Sequence, residues 1–187
     1  MREIFLETER LYLRRFLAQD APLLVELDSD PEVMRFISRG QPTTLEENER
    51  IRLPRMLSYD RDWPPSGFWA AHLRGDDSFV GWFHLRPDLI DSGDMELGFR
   101  LKREVWNRGL ATEVSRVLIS RSFADWGYQM ISARTLIHNL ASRRVMEKSR
   151  LRFEREFVWD NAALPGWSEE ERRGVKYSLA RDPAQRS

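Results

Sequence analysis

Hydrophobic and polar residues alternate along seven short segments of the chain, and a period of two residues is typical of a β-strand. In the first segment, for example, Leu11 and Leu13 share one face, whereas Tyr12 and Arg14 share the other. The pattern predicts strands at residues 10–16, 68–74, 78–86, 95–101, 130–137, 151–159 and 174–180.

Four segments instead show the 3.6-residue period of an amphipathic helix. Thr44 and Glu47 have the spacing of a capping box at the start of one of them, and Pro54 should kink or stop that helix. Gly127 stands where a left-handed residue would end another. Helices are predicted over residues 20–27, from 44 onward, over 110–126 and over 140–149, with Asp30-Pro31 ending the first.

The turn at residues 75–77 is so short that the two strands it joins must be antiparallel. The elements then follow in the order strand, helix, helix, three antiparallel strands, helix, strand, helix and two strands. This order indicates an α+β fold with helices layered on a mixed sheet. The 187 residues are 41% hydrophobic and 11% aromatic, which predicts a single globular domain over residues 1–187.

Charge and cysteine content narrow the classes of function. Thirty Lys and Arg residues balance thirty Asp and Glu residues, so the chain has no net positive charge that would favour nucleic acid or an anionic membrane. The absence of cysteine excludes disulfides, thiolate metal sites and a cysteine nucleophile, and we expect no metal site from only three histidines. The first 16 residues carry charges every few positions, unlike a signal peptide or a membrane span, so a cytoplasmic protein is expected.

The most informative stretch is residues 96–112, ELGFRLKREVWNRGLAT, in which a predicted strand runs through a short loop into a helix. The free backbone N–H groups at a helix start, together with the helix dipole, form an anion site. Gly109 allows the backbone to approach a ligand closely, Ala111 is small, and Arg108 can add a charge-assisted contact. The pattern suits a di- or triphosphate-like ligand, but taken alone it is explained more simply by a tight turn between a strand and a helix.

A second polar segment follows the next strand. Asn139 lies where that strand ends and a helix begins, and Ser142 lies one turn further on. Asn139 can hydrogen-bond an amide of an extended ligand, and Ser142 can offer a hydroxyl near the same place. The alternative is that Asn139 is an ordinary N-cap and Ser142 a surface hydroxyl.

Taken together, four segments resemble the GNAT superfamily of N-acetyltransferases, and within it the Rim-type enzymes that acetylate ribosomal-protein N-termini. The resemblance covers residues 5–181, nearly the whole chain. The segments are LETERLYLRRF at 6–16 with DPEVM at 30–34, ELGFRL at 96–101, WNRGLATE at 106–113, and NLAS at 139–142 with VMEK at 145–148.

This resemblance implies a seven-stranded, mostly antiparallel sheet with helices on both faces and a V-shaped splay between the central strands. Acetyl-CoA would be the cofactor, with its pantetheine arm on the backbone of Phe99 and Leu101 and beside Asn139. The residues implied for the loop that binds its pyrophosphate are Trp106, Asn107, Arg108, Gly109, Leu110, Ala111 and Thr112.

The family transfers the acetyl group directly to an amine, without an acyl-enzyme. We expect Ser142 to donate a hydrogen bond or proton to the departing thiolate, and Glu96 to act as a base through water. The alternative for Glu96 is an ion pair with a neighbouring arginine. His72 and His84, although they titrate near neutrality in water, are interpreted as ordinary strand residues.

Two positions depart from the family pattern. Asn107 replaces a frequent glycine, which is tolerable because asparagine accepts unusual backbone angles. Arg150 stands where the family usually has the glycine of Leu-Gly-Phe, so it must accept a left-handed conformation or the helix must end differently.

The acceptor is the open question. An acetyl group could go to a protein N-terminus or to a small amine such as a polyamine or an aminoglycoside-like antibiotic, and a non-catalytic acyl-CoA-binding regulator is the alternative from another class. Acidic loops at residues 60–67, 87–94 and 160–173 would draw a cationic amine or would simply be solvated. The chain would act as a monomer or a homodimer.

Overall fold

The computed structural model describes residues 3–182 as a mixed sheet of eight strands with helices. The strands are β1 (Ile4–Glu7), β2 (Leu11–Arg15), β3 (Gly67–Leu73), β4 (Phe79–Pro87), β5 (Met95–Leu101), β6 (Met130–Leu136), β7 (Arg152–Val158) and β8 (Arg173–Ala180). The helices are α1 (Ala21–Asp28), α2 (Pro31–Ser38), α3 (Leu45–Glu47), α4 (Leu53–Asp62), α5 (Leu110–Ala124) and α6 (Leu140–Lys148). Within residues 3–182, no helix is long and apolar enough to cross a bilayer.

The chain divides into two compact units. The first contains the chain up to Arg86 together with Gly98–Val114. The second contains Pro87–Leu97 and the chain from Ser115 onward. Strand β5 and helix α5 therefore each contribute residues to both units.

In the first unit the strands follow the order β1-β2-β3-β4-β5. The β3–β4 pair is antiparallel, as the short turn predicted. Strand β5 runs antiparallel to β4, because Lys102 donates to the carbonyl of Val80 (2.8 Å) while Gly98 faces His84 further along. Apolar side chains of α1, α2 and α4 pack with those of β3 and β4 in one buried cluster, which includes Leu24, Leu27, Val33, Leu53, Met56, Phe68, Ala70 and Phe79.

In the second unit the order is β5-β6-β8-β7, with β6–β8 and β8–β7 antiparallel. The β5–β6 pair is parallel, and its register joins Met95 to Ile131 and Glu96 to Ser132, near the start of both strands. Such short pairing is what diverging strands require, while the V-shaped splay itself stays a prediction. The core here includes Leu118, Ile131, Ala133, Leu136, Met146, Val175 and Tyr177.

Strand β1 and helix α2 were not predicted from the sequence. Because of β1, the sheet has eight strands rather than the seven expected. Strand β1 is an edge strand in which only Leu6 is buried, so it lacks a clear apolar face. Helix α2 begins where a helix end was predicted. Asp30 accepts a hydrogen bond from the backbone of Glu32 (2.9 Å), and Pro31 takes the first helical position. The same dipeptide thus ends α1 and caps α2.

Pro54 was predicted to kink or stop its helix, and the prediction that it stops the helix is wrong. Helical structure continues through Pro54 to Asp62. Residues Asn48–Arg52, immediately before α4, form a π-helical turn. A wider turn absorbs the missing N–H and the steric demand of proline, which places Pro54 in the first turn of α4.

The end of α6 shows how the chain manages without the usual glycine. Arg150 adopts a left-handed conformation, with φ of 70°. The backbone N–H of Leu151 bonds the carbonyl of Met146 (3.1 Å), and that of Arg150 bonds Glu147 (3.0 Å). These two bonds are those of a Schellman cap, which strongly favours glycine at this position. Arg150 is therefore held in a left-handed conformation that is strained for a residue with a Cβ.

Replacing Arg150 with glycine should stabilise the protein. We expect Arg150→Gly to raise the free energy of unfolding by about 0.5–1 kcal/mol, since the relief of left-handed strain exceeds the added freedom of the unfolded chain. Urea unfolding measures this directly. As a control, Arg144→Gly at an exposed position inside α6 should lower stability by about 1 kcal/mol. A loss of stability in Arg150→Gly would show that the arginine side chain has a stabilising role.

Candidate active site

The strongest candidate in the first unit is the loop that joins β5 to α5. A short 3-10 turn, Arg103–Val105, follows β5, and two residues with left-handed backbone then bring the chain into the helix. Asn107 has φ of 59° and Gly109 has φ of 79°. Asparagine at 107 thus adopts the unusual angles that the sequence led us to expect of it.

This loop ends in a set of backbone donors at the start of α5 that the helix itself cannot bond. The helical hydrogen bonds begin at Glu113, whose N–H bonds the carbonyl of Gly109 (3.0 Å). The N–H groups of Leu110, Ala111 and Thr112 come before it and have no helical carbonyl to bond. They lie at the positive end of the helix dipole, beside an exposed Arg108. Such a donor set fits the pyrophosphate of a CoA-type cofactor.

Trp106 connects this loop to the strand before it. Its indole Nε1 donates to the carbonyl of Leu101 (2.8 Å). The backbone of Leu101 was expected to bond the pantetheine arm, and one acceptor position of its carbonyl oxygen is thus already used within the chain. Phe99 is half-buried, with its ring 5.9 Å from that of Phe83. The pantetheine contacts of Phe99 and Leu101 stay predictions.

Arg10 is a residue of this site that the sequence reasoning missed. Its backbone N–H and side-chain Nε donate to the two carboxylate oxygens of Glu113 (2.9 and 2.7 Å). Its Nη1 donates to the carbonyl of Arg108 (2.8 Å). The available signal was that LETERLYLRRF and WNRGLATE occur together in the family, but no spacing rule connects residues about a hundred positions apart.

In the second unit, Asn139 is the N-cap of α6. Its Oδ1 accepts a hydrogen bond from the backbone N–H of Ser142 (3.2 Å). The capping interpretation is therefore confirmed, but it uses only one end of the amide. Among residues 3–182 nothing bonds Asn139 Nδ2 or the hydroxyl of Ser142, and both side chains are half-buried. Each retains a donor that a ligand can use.

Glu96, the predicted base, lies on β5 in the same unit. It is 9% exposed and stands opposite Ser132 of β6 in the parallel register. Burial at a strand position is compatible with both roles weighed for it. General base and ion-pair partner therefore both stay predictions.

The acidic loop at residues 87–94 is neutralised by cations of its own unit. Asp88 pairs with Arg134, and Asp94 pairs with Lys176 (2.8 Å). Hydrogen bonds from Lys176 and then from Arg155 hold the pKa of Asp91 well below its usual range. Carboxylate oxygens of Asp88, Asp91 and Asp94 come within 4.8 Å of one another, as at a metal site, but arginine and lysine already occupy them. This loop is thus not an uncompensated acidic rim.

The two strand histidines differ in their surroundings. The Nδ1 of His72 lies 2.9 Å from the carbonyl of Asp77, and its ring stacks on Tyr12. His84 is buried between Phe68 and Trp82, and neither of its ring nitrogens has a hydrogen-bond partner among the described residues. Burial above all, and then the charges of nearby arginines, lowers the pKa of His84 well below its ordinary value.

Comparison with known proteins decides the family. The sequence profile described as acetyltransferase (GNAT) domain matches residues 10–152. The chain belongs to the GNAT acetyltransferase family. It is also 31% identical, over 95% of its own length and 76% of the relative's, to the "FsC-acetyl coenzyme A-N(2)-transacetylase" of Aspergillus fumigatus.

Solved structures of GNAT proteins confirm the fold. The RimL ribosomal L7/L12 alpha-N-protein acetyltransferase in complex with coenzyme A has a TM-score of 0.76 and 15% identity, covering 96% of this chain and 99% of that one. The ribosomal-protein-S5-alanine acetyltransferase from Vibrio fischeri has a TM-score of 0.74 and 14% identity, covering 97% and 98%. The predicted α+β GNAT architecture is therefore confirmed, and this GNAT chain is an acetyltransferase by family, whose members use acetyl-CoA.

The buried state of His84 predicts how stability depends on pH. The folded-state pKa of His84 lies below the unfolded value of about 6.5. As the pH falls, His84 is therefore protonated in the unfolded chain while it is still neutral in the folded chain, and this proton binding favours unfolding. The free energy of unfolding is therefore unaffected by this protonation at about pH 8 and decreases as the pH drops below about 6.5. Between pH 7.5 and 5.5, His84→Phe should lose less of its unfolding free energy than the wild type, by about 1 kcal/mol.

Urea unfolding at both pH values measures this difference. His138→Gln, which changes an exposed histidine, is the matched control and should follow the wild type. Equal pH dependence in His84→Phe and the wild type would contradict a buried neutral imidazole.

Proposed function

We propose that the protein is an acetyl-CoA-dependent N-acetyltransferase that moves an acetyl group directly to a primary amine. Family membership supports the transfer, and the name of the Aspergillus fumigatus relative denotes transfer from acetyl coenzyme A to a nitrogen. The observation that carries the proposal is the donor set of the β5–α5 loop. Its three N–H groups, which no helical carbonyl can bond, lie beside left-handed Gly109 and suit the oxygens of a pyrophosphate.

Each predicted residue has a definable task. The N–H groups of Leu110, Ala111 and Thr112 would hold the pyrophosphate, and Asn139 Nδ2 would donate to a carbonyl of the pantetheine arm. When bound, acetyl-CoA supplies the acetyl group on a thioester. The Ser142 hydroxyl, which has no partner among the described residues, would then donate to the sulfur on which negative charge develops.

The acceptor amine must be uncharged when it attacks, although free amines have pKa values of about 8 to 10. Glu96 would take up the proton through water, since a buried carboxylate can serve as a base. The alternative ion-pair role would leave deprotonation to the solvent. The bell-shaped or sigmoidal form of the pH–rate profile distinguishes these cases in a Glu96→Gln variant.

For the acceptor, a small-molecule amine or a protein N-terminus both remain in the proposal. The internal ion pairs of residues 88–94 remove one reason to expect a polycation such as a polyamine or an aminoglycoside-like antibiotic. A non-catalytic acyl-CoA-binding regulator would need no donor beside the thioester, and the unbonded Ser142 hydroxyl favours the enzyme over it.

Acetyl-CoA should stabilise the folded protein selectively. A ligand at 100 times its dissociation constant adds about 2.7 kcal/mol, which raises the melting temperature by roughly 5–11 °C for a chain of this size. A thermal melt with acetyl-CoA, with ATP and NAD as controls, measures the shift. A folded protein that shows no shift with saturating acetyl-CoA would contradict the cofactor assignment.

Removing the Ser142 hydroxyl should affect the chemical step. We expect Ser142→Ala to lower kcat about a hundredfold, the usual contribution of a proton or hydrogen-bond donor, with little change in the KM for acetyl-CoA. Thiol release with an amine panel gives both constants. Ser120→Ala, at an exposed position on α5, is the control and should match the wild type. An unchanged kcat in Ser142→Ala would remove Ser142 from the mechanism.

A further inference from the structure

The contacts of Arg10 within the first unit point to a role beyond those of the residues predicted for the site. Arg10 lies between β1 and β2, and its own carbonyl accepts from the N–H of Arg74 (3.0 Å). The sheet therefore fixes the backbone of Arg10. From this fixed base the side chain reaches the β5–α5 loop through Glu113 and the carbonyl of Arg108.

The pair is geometrically well defined. Arg10 Nε and Nη2 lie 2.7 and 2.6 Å from the same carboxylate oxygen of Glu113, and the Arg10 backbone N–H bonds the other oxygen. Glu113 is only 16% exposed, against 43% for Arg10. Burial raises the pKa of Glu113, but hydrogen bonds from Thr8 and Arg10 outweigh it and lower that pKa below its ordinary value. Glu113 is therefore ionised at neutral pH.

The negative charge of Glu113 lies close to the proposed pyrophosphate site, and Arg10 compensates it. The carboxylate belongs to the first turn of α5, next to the N–H groups of Leu110 to Thr112, so its charge opposes an incoming pyrophosphate. The guanidinium of Arg10 neutralises that charge. It also restrains the left-handed turn, since its Nη1 bonds Arg108 and its Nη2 lies 3.6 Å from the position a Cβ on Gly109 would take.

We propose that Arg10 is a positioning residue that holds the β5–α5 loop in its anion-binding form and screens Glu113, thereby setting the affinity for the pyrophosphate of acetyl-CoA. The inference rests on the proposed function and deepens it. It also accounts for LETERLYLRRF, the opening segment that no site residue had explained.

The test compares acetyl-CoA with acetyl-pantetheine, a donor without the pyrophosphate. Loss of charge-assisted hydrogen bonds should make Arg10→Ala bind acetyl-CoA about ten- to a hundredfold more weakly. Its kcat/KM for acetyl-CoA should fall by the same factor, whereas kcat/KM for acetyl-pantetheine should fall less than about threefold. Arg10→Lys should recover part of the affinity, because lysine keeps the charge but not the fork.

A second variant separates screening from restraint. In Arg10→Ala/Glu113→Gln the unscreened charge is gone, so the affinity for acetyl-CoA should recover relative to Arg10→Ala. Arg50→Ala removes an exposed Arg–Glu pair elsewhere in the same unit and serves as the control, with wild-type constants expected. The proposal is overturned if Arg10→Ala binds acetyl-CoA like the wild type, or if both donors lose kcat/KM equally. Failure of the wild type itself to bind acetyl-CoA would instead refute the proposed function.

Discussion

Three backbone N–H groups at the start of α5 have no helical carbonyl to bond, and the chemistry proposed for this protein depends on that deficit. A helix cannot satisfy its own first donors. The chain brings them together by two left-handed residues, Asn107 and Gly109, and leaves them at the positive end of a helix of 15 residues. An anion with several oxygens compensates such an arrangement far better than water does, because it matches both the donors and the dipole.

Side-chain hydrogen bonds hold the β5–α5 loop at both of its ends. Trp106 ties one end to β5, and Arg10 ties the other to the sheet through Glu113. In the second unit, the loop before β5 is held by a network of buried ion pairs around Arg134 and Lys176. Preorganised donors lose little entropy when a ligand arrives, which is how rigid loops achieve affinity with few contacts.

Much of this could be predicted from the sequence, because periodicity and local signals determine most elements. The bounds of β5 were predicted to the residue, and Gly127 and Asn107 have the left-handed angles expected of them. The failures have physical reasons. Strand β1 is an edge strand with one buried residue, and the π-helical turn before Pro54 is a local accommodation that no composition rule reveals. Arg10 was missed because its partners lie 98 and 103 residues away.

The central claim is that the N–H groups of Leu110, Ala111 and Thr112 bind the pyrophosphate of acetyl-CoA. Amide chemical shifts from ¹⁵N NMR, recorded during titration with CoA, test it at the atoms concerned. The account predicts large downfield proton shifts at these three amides, saturating together, and absent when pantetheine replaces CoA. Unchanged shifts at these amides, while other residues respond to CoA, would contradict it.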